Sequence, residues 1–306
     1  MSRCAWPALL CMALATGGGA TAGAAEPPAC ADIAARYAAT RAELQTPQVS
    51  ALLFAAADNG CAAVAETLFA GGALIEAQDR FGNTPLAHAA LAGKLAALAF
   101  LLDHGAAIDH QNVEGSTALF LATERHQPQA AALLLDRGAD PERAGRSGVT
   151  PLAAAAFAGE EAIAAALLAH HANPATPDRT GKTAMVYAAA RGRAGIVGRL
   201  LAAGVDVDAR DGNELTALMW AAGHADGVAA PDGTATVALL LDHAAQVDLR
   251  DNRGRTALMI AAERGHAAIV RLLLARGADP ALQDHEGKSA RDLAADDGVR
   301  AALAPG

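Results

Sequence analysis

Two glycine-lysine pairs resemble the end of a phosphate-binding loop, in which the lysine contacts the phosphates of a nucleotide. They read GKT at residues 181–183 and GKS at residues 287–289. That loop also requires a glycine five residues before the glycine of the pair. Thr176 and Leu282 occupy those places, so we interpret both pairs as coincidences and not as nucleotide sites.

Nucleophilic and metal-binding side chains are sparse or scattered. The chain has five serines, and its ten histidines are not grouped by spacing. His104, His170 and His243 each end a predicted apolar helix, where a polar or cationic group complements the helix C-terminus. The adjacent pair His170 and His171 does not share one helix face. We therefore predict no metal site, no cofactor and no enzyme activity.

These residues lie on a repeated pattern. The recurrence has steps of 33, 33, 33, 33, 40 and 33 residues. Copies two to eight read TPLAHA from Thr84, TALFLA from Thr117, TPLAAA from Thr150, TAMVYA from Thr183, TALMWA from Thr216, TALMIA from Thr256 and SARDLA from Ser289. A weaker copy one, ALLFAA from Ala51, lies one step earlier. Each copy also includes the five residues ahead of this pattern, which we name its tip. A fixed period of this size predicts a stacked repeat array.

Each position of the copy has a physical reason. Threonine accepts a hydrogen bond from the free N–H groups that begin a helix. Pro85 and Pro151 follow at the first helical position, where a missing N–H is harmless. Paired alanines let helices approach closely, and leucine runs such as residues 133–135 form the apolar side of a second, outer helix. Gly105 and Gly138 then end that helix in a left-handed turn.

The pattern resembles the ankyrin repeat, which reads roughly D-x-x-G-x-T-P-L-x-x-A-A-x-x-G, followed by an apolar helix and L-L-x-x-G-A-D. Copy two agrees with it at Asp79, Gly82, Thr84, Pro85, Leu86, Ala89, Ala90, Gly93, Leu101, Leu102, Gly105 and Ala106. The resemblance covers about residues 46–304. It implies an α-helical repeat solenoid of about seven to eight helix-turn-helix repeats with β-hairpin tips.

We divide the chain into three parts. Residues 1–25 have a basic start, a short apolar run at 8–15 and a small-residue end, which predicts a signal peptide removed on export. A cytosolic leader is the alternative. Residues 26–45 are expected to form an N-terminal helical cap, and residues 46–306 the ankyrin repeat array. The alanine-rich composition suggests a bacterium, so the expected location is the periplasm or the exterior.

The mature chain would keep two cysteines, Cys30 and Cys61. An even pair in an oxidising compartment favours a disulfide, which here would join the cap to the start of the first outer helix. Two buried free thiols are the alternative.

Composition and charge exclude two classes of partner. The net charge is −9, and an acidic array binds nucleic acid poorly. The chain is 53% hydrophobic but 3% aromatic, which fits thin layers of alanine and leucine. Because no apolar run reaches about 18 residues, no membrane span is predicted.

Copy six departs from the pattern in three places. Glu214 replaces the tip glycine, and Ala244 replaces the glycine after the outer helix. Residues 223–235 contain thirteen residues where copy seven has six, and their glycine, proline and aspartate predict an exposed loop. In copy four, His171 fills the equivalent glycine position. Whether the long segment has a specific role stays open.

The resemblance implies a non-catalytic protein–protein interaction module or scaffold, which binds a partner through its hairpin tips and concave inner-helix face. Carried over position by position, the partner-binding residues are Arg80, Phe81, Asn83, Glu114, Arg146, Phe157, Arg179, Lys182, Asn213, Arg253 and Arg255. Phe81 and Phe157 are the expected apolar anchors, since aromatic residues and arginine dominate binding hot spots. Packing of Phe157 on a neighbouring helix is the alternative for that residue.

The basic tip residues have two interpretations, a stripe that meets an acidic partner and ordinary solvated turns. The expected partner is an unidentified protein, and the expected state of the chain is a monomer. Two other functions stay open: an enzyme or metal- or cofactor-binding protein that uses the concave groove, and a stress-protective factor that shields another protein.

Overall fold

The computed structural model describes residues 27–145, 147–224 and 229–304, which contain sixteen helices and no β-strand. In chain order they are α1 (Pro28–Thr40), α2 (Thr46–Asn59), α3 (Ala62–Ala70), α4 (Pro85–Leu91), α5 (Leu95–Asp103), α6 (Ala118–Glu124), α7 (Pro128–Asp136), α8 (Pro151–Ala158), α9 (Glu161–Ala169), α10 (Ala184–Ala190), α11 (Ala194–Ala202), α12 (Ala217–Ala222), α13 (Ala230–Asp242), α14 (Ala257–Glu263), α15 (Ala267–Ala275) and α16 (Asp297–Ala302).

The helices form two rows. The even-numbered helices α2 to α14 are the inner row, and the odd-numbered helices α3 to α15 are the outer row; each packs on its hairpin partner and on the same row of the next copy. This nearest-neighbour stacking is the physics of a repeat solenoid. The predicted fold class, an α-helical array of helix-turn-helix repeats, is confirmed.

Threonine begins the inner helices as predicted. The side chains of Thr84, Thr117, Thr150, Thr216 and Thr256 each accept the N–H of the residue three positions on, at 3.2–3.4 Å. Thr183 stands at the same position of α10 without such a bond. The cap is therefore general in the array but is not needed by every copy.

The core is a continuous layer of alanine and leucine. Ala89 and Ala90 of α4 are fully buried, as are Leu134 of α7 and Leu167 of α9. The paired alanines let the inner helices approach closely, and the outer leucines fill the space behind them. None of the helices in the described ranges is long and apolar enough to cross a membrane.

Within the described ranges, four residues other than glycine adopt left-handed backbone angles. Glu214, His171 and Ala244 have φ of 62°, 63° and 63°, at the three positions where the sequence departs from glycine. His126 has φ of 56° after the end of α6, and Gly93 has φ of 65° at the equivalent position after α4. The repeat thus imposes the turn, and these four residues adopt a left-handed backbone conformation that L-residues disfavour.

We predict that Ala244→Gly raises the free energy of unfolding by a few tenths to about 1 kcal/mol. A left-handed alanine costs about 1–2 kcal/mol, and the extra entropy of glycine in the unfolded chain offsets about 0.4–1 kcal/mol of that gain. Urea denaturation measures the change. The control is Ala245→Gly at the next residue, which is 8% exposed and outside the left-handed region, and which should destabilise the array. A loss of stability in Ala244→Gly would contradict this account of the turn.

The long segment of copy six is not the fully exposed loop that the sequence predicted. Its second half is helical, because α13 begins at Ala230 and has 13 residues where the preceding outer helix α11 has 9. Pro231 and Asp232 lie in the first turn, where proline and acidic side chains favour a helix start. Residues 225–228 lie outside the described part.

The two ends differ from the body of the array. Helix α1 packs on α2 and α3. The Sγ atoms of Cys30 in α1 and Cys61 at the start of α3 lie 2.06 Å apart, at bonding distance. At the other end, residues 290–293 of copy eight form turns in place of an inner helix, and α16 stops before Leu303. The predicted signal peptide, residues 1–25, falls outside the described residues.

Candidate partner-binding groove

The tips are tight turns, and most of them are held by one side chain each. In six of them an aspartate or asparagine accepts the backbone N–H groups of the residues two and four positions on, at 2.7–3.1 Å. These residues are Asp79, Asn112, Asp178, Asp211, Asp251 and Asp284. One isolated β-bridge flanks the tip in each of copies six and eight, Arg210 with Thr216 and Gln283 with Ser289. The predicted β-hairpin tips are therefore hairpin-like turns of minimal length.

In three copies the inner helix also bonds to its tip. His88 contacts Asp79 at 3.2 Å, the Tyr187 hydroxyl donates to Asp178 at 2.5 Å, and Trp220 Nε1 donates to Asp211 at 2.9 Å. All three occupy one position, four residues after the threonine. None of the three was predicted from the sequence. The sequence signal for these three residues was that their position varies from copy to copy, whereas the neighbouring positions agree.

The bond in copy five changes the acidity of both partners. Burial and the hydrogen bond to Asp178 raise the pKa of Tyr187 to about 12. Burial alone would raise the pKa of Asp178, but the hydrogen bonds from Tyr187, Lys182 and Thr180 outweigh it and hold that pKa below its usual range. The raised pKa of Tyr187 stabilises the folded array below about pH 10, and the lowered pKa of Asp178 stabilises it above about pH 4.

We predict that the Tyr187 phenol ionises near pH 12 in the folded protein. The chain has two tyrosines, so Tyr37→Phe leaves a single phenol whose ultraviolet absorbance can be titrated. Adding Asp178→Asn should move the midpoint back toward 10. The tyrosine's contribution to stability should disappear as the pH rises from 10 to 12, and the aspartate's as the pH falls below 4. Equal titration midpoints in Tyr37→Phe with and without Asp178→Asn would contradict the hydrogen bond between Tyr187 and Asp178.

An open groove runs between the tips and inner helices of copies three to five. Two cavities of about 710 and 510 Å³ share Phe120, Glu124, Val149 and Tyr187 and so form one continuous depression. A third cavity of about 470 Å³ lies between copies six and seven, around Trp220. These volumes match the usual range of binding clefts.

One wall of the groove is aromatic. Phe157 is 50% exposed and stands edge-on to Tyr187, with the ring centroids 6.0 Å apart. The guanidinium carbon of Arg191 lies 4.9 Å from the centre of the Phe157 ring, a cation–π contact. Phe157 therefore packs on the neighbouring helix and still presents about half of its side chain to the groove.

The groove is polarised by charge. Arg179, Lys182, Arg191 and Arg193 lie on its copy-five side, and none of the four forms an ion pair within the described residues. On the copy-three side, burial and the nearby carboxylate of Glu114 raise the pKa of Glu124. The copy-five half thus offers positive charge that the described chain does not neutralise.

The predicted partner-binding residues fall into separate places. Glu114, Phe157, Arg179 and Lys182 line the groove of copies three to five. Asn213 and Arg253 line the third cavity. The structure therefore places four of these residues at the groove of copies three to five and two at the third cavity.

Three residues of copy two lie away from these cavities. Phe81 is 53% exposed with the Arg80 guanidinium 4.6 Å from its ring centre. Asn83 is tied into the tip, since its amide donates to Asp79 and its oxygen accepts from Asn112. Asn83 is therefore part of the scaffold of the tip.

Arg255 departs from its predicted role as a free contact residue. It is 8% exposed, with Nη1 2.8 Å from Glu263 and Nε 3.3 Å from Asp284. Because the position faces the tip of copy eight, this arginine joins neighbouring copies. Arg146, the remaining predicted residue, lies outside the described part of the chain. Across the residues that the structure describes, no three His, Cys, Asp or Glu side chains are grouped to hold a metal ion.

Comparisons with known proteins agree with this architecture. A family model described as ankyrin repeats matches in three copies, over residues 52–145, 141–211 and 195–284. A search of curated proteins found no significant match. Among solved structures, the crystal structure of the ankyrin repeat domain of Bcl-3, a member of the IkappaB family, is similar with a TM-score of 0.62 and 28% identity, over 72% of this chain and 98% of that one. The chain belongs to the ankyrin repeat family, whose arrays are protein–protein interaction modules.

Proposed function

We propose that this protein is a non-catalytic scaffold that binds one partner protein along the concave groove of copies three to five. The observation that carries this proposal is Phe157, which is half exposed in an open groove that Arg179 and Arg191 also line. Exposed aromatic residues and arginines in a concave surface are the composition of binding hot spots.

The rigidity of the groove supports the same function. Each tip that borders it from copies three and five is held by the two hydrogen bonds of its aspartate or asparagine. Copy five adds the bond from Tyr187. A surface ordered before binding loses less conformational entropy when the partner docks.

Site-specific photocrosslinking tests the proposal. A benzophenone amino acid at position 157 should crosslink to a partner in the native cell. The matched control places it at Arg271, exposed in the outer helix α15. We expect a discrete adduct from position 157 that is absent from position 271. Equal adducts from both positions, or an adduct from 271 alone, would refute the groove as the binding surface.

We further propose that the protein acts after export, in the periplasm or outside the cell. The bonding distance between the buried Cys30 and Cys61 supports this location, because disulfides persist in oxidising compartments. Cell fractionation with mass spectrometry of the N-terminus tests it. We expect a periplasmic or secreted protein that lacks about the first 25 residues; a full-length cytosolic protein with alkylatable thiols would contradict it.

A further inference from the structure

Neighbouring tips of the array are joined by a backbone hydrogen bond. The N–H of the second tip residue donates to the carbonyl oxygen of the third residue of the preceding tip, at 2.9–3.3 Å between copies two and three, four and five, and seven and eight. Among the described residues, Gly212 N–H of copy six lacks this bond to copy five, although a Cβ on Gly181 would lie 2.7 Å from that nitrogen, so those tips stay in contact. Between copies six and seven the bond would join Asn252 N–H to Asn213 O, and neither atom has a hydrogen-bond partner in the part of the chain that the structure describes. The tips of copies six and seven are therefore not joined.

The residue at position 214 gives this separation a physical reason. A Cβ built on Gly82, the tip glycine of copy two, would lie 3.1 Å from the backbone nitrogen of Val113 in the next tip, which is tighter than an ordinary contact. A Cβ on Gly254 of copy seven would lie at the same distance from the backbone nitrogen of His285. Glu214 occupies the equivalent position of copy six, with φ of 62°, and carries a Cβ. This atom holds the tip of copy seven away from the tip of copy six.

The cavity of about 470 Å³ around Trp220 opens at this junction, between both tips and both inner helices. Asn213 and Asn252 line it from the tips, and Trp220 and Ile260 line it from α12 and α14. Trp220 is held in place because its Nε1 donates to Asp211 at 2.9 Å. Helix α14 is about 10 Å long, a length that about three extended residues cover at about 3.3 Å each. The cavity therefore has the length and the apolar surface for a short extended segment.

The charges around this cavity balance one another. Arg253 lines it and lies 3.3 Å from Asp251. Glu263 lines it and lies 2.8 Å from Arg255. The cations in or beside the cavity are Lys182, Arg253, Arg255 and Arg264, and the carboxylates are Asp211, Asp251, Glu263 and Asp284. Because neither sign of charge is in excess, the cavity favours an uncharged apolar side chain, which gains by leaving water.

We propose that this cavity is a second binding site, which takes an extended, uncharged apolar segment of a partner protein. A backbone carbonyl of the segment accepts the N–H of Asn252, a backbone N–H donates to Asn213 O, and an apolar side chain packs on Trp220. A peptide backbone fits because it supplies the acceptor and the donor that the separated tips leave unused. Main-chain bonds of this kind give affinity, and the side-chain pocket gives specificity. The site lies outside the groove of copies three to five and does not depend on the function proposed for that groove.

Peptide selection on the full-length protein tests the site. The probe is a random twelve-residue display library without tryptophan, selected on the Trp6→Phe protein, in which Trp220 is the only tryptophan left. Enriched peptides are measured by calorimetry and by Trp220 emission on this protein and on its Glu214→Gly and Glu214→Ala variants. Glycine removes the Cβ that separates the tips. Alanine is the matched control, because it keeps the Cβ and removes only the carboxylate and its ion pair with Arg210.

We expect the enriched peptides to share an uncharged apolar residue and to shift the emission of Trp220. Their affinity should fall at least about tenfold for Glu214→Gly and stay within about threefold for Glu214→Ala. Methylation of the peptide nitrogen that donates to Asn213 should also cost about tenfold, and Phe157→Ala should leave the affinity unchanged. Thermal melting should show Glu214→Gly at least as stable as its parent, because glycine tolerates the left-handed turn.

Several results would overturn the inference. These are equal affinity for the two variants at position 214, no enrichment, or enriched peptides that share a charged residue and lose affinity at high salt. Emission of Trp220 that changes with protein concentration alone would assign the cavity to a second copy of the chain instead. A loss of affinity in Phe157→Ala would move the peptides to the groove of copies three to five. That groove is tested separately by crosslinking at position 157, so failure of one site is distinguishable from failure of the other.

Discussion

Replacement of both Cys30 and Cys61 by alanine is expected to lower the free energy of unfolding by about 3 to 4 kcal/mol. The bridge closes a loop of 31 residues and joins α1 to the start of α3. Both cysteines are fully buried, so alanine leaves no unpaired polar group behind. Copy one is the end of the array and has one repeat neighbour, which leaves the bridge as a large share of its stability. Denaturation in urea at fixed pH measures the loss.

Reduction of the wild-type protein is the control for this result. Reduced wild type and the double alanine variant should unfold at nearly the same urea concentration. Hydrogen exchange should accelerate mainly in α1 to α3, because each repeat contacts only its neighbours. A loss below about 1 kcal/mol, or a uniform acceleration along the array, would contradict the assignment of the bridge as a clamp on the N-terminal end.

Leu167→Ala is expected to destabilise the array by about 3 kcal/mol, within the range of about 2–5 kcal/mol for buried leucine. Leu167 lies in α9 and is fully buried. Helix α9 contacts α7 and α11 as well as its partner α8, so the cavity weakens both interfaces of copy four. We expect unfolding to lose cooperativity as the two halves of the array separate.

The matched control is Leu95→Ala in α5, where the side chain is 41% exposed. That change should cost less than about 1 kcal/mol, since little buried apolar area is removed. The unfolding transitions followed by circular dichroism and by Trp220 fluorescence should separate in Leu167→Ala and coincide in Leu95→Ala. Similar losses in both variants would contradict the position of the core.

The repeat architecture was predictable because its rules are local. A threonine cap, a proline at the first helical position and a glycine in a left-handed turn each depend on a few adjacent residues. The same regularity identified Glu214 and Ala244 as departures from glycine, and both have left-handed backbone angles in the structure. The alternation of alanine pairs and leucine runs likewise indicated which helices form the inner and outer rows.

The groove was only partly predictable. Phe157, Arg179 and Lys182 were found through the family pattern, but the contacts that shape the groove join a tip to a helix nine residues later. Whether Asp178 meets Tyr187 depends on how far the helix stands from the tip, and periodicity carries no information on that distance.

Two other features depend on context in the same way. Arg255 occupies a tip position that is half-buried in most other copies, and its ion pairs with Glu263 and the neighbouring Asp284 make it a buried link. The start of α13 was hidden by glycine and proline, which predict a loop from composition, although proline and aspartate also begin helices. In the first case the deciding interaction lies outside the local sequence pattern, and in the second the local pattern fits both a loop and a helix start.

The most direct test of the central claim is the affinity of the partner crosslinked at position 157 for a groove variant, Phe157→Ala with Arg191→Gln. Calorimetry should show a loss of at least about 100-fold, since each change removes a hot-spot residue and tenfold corresponds to about 1.4 kcal/mol. The melting temperature should stay near that of wild type because Phe157 is half exposed. Affinity within twofold of wild type would contradict the assignment of this groove as the binding surface.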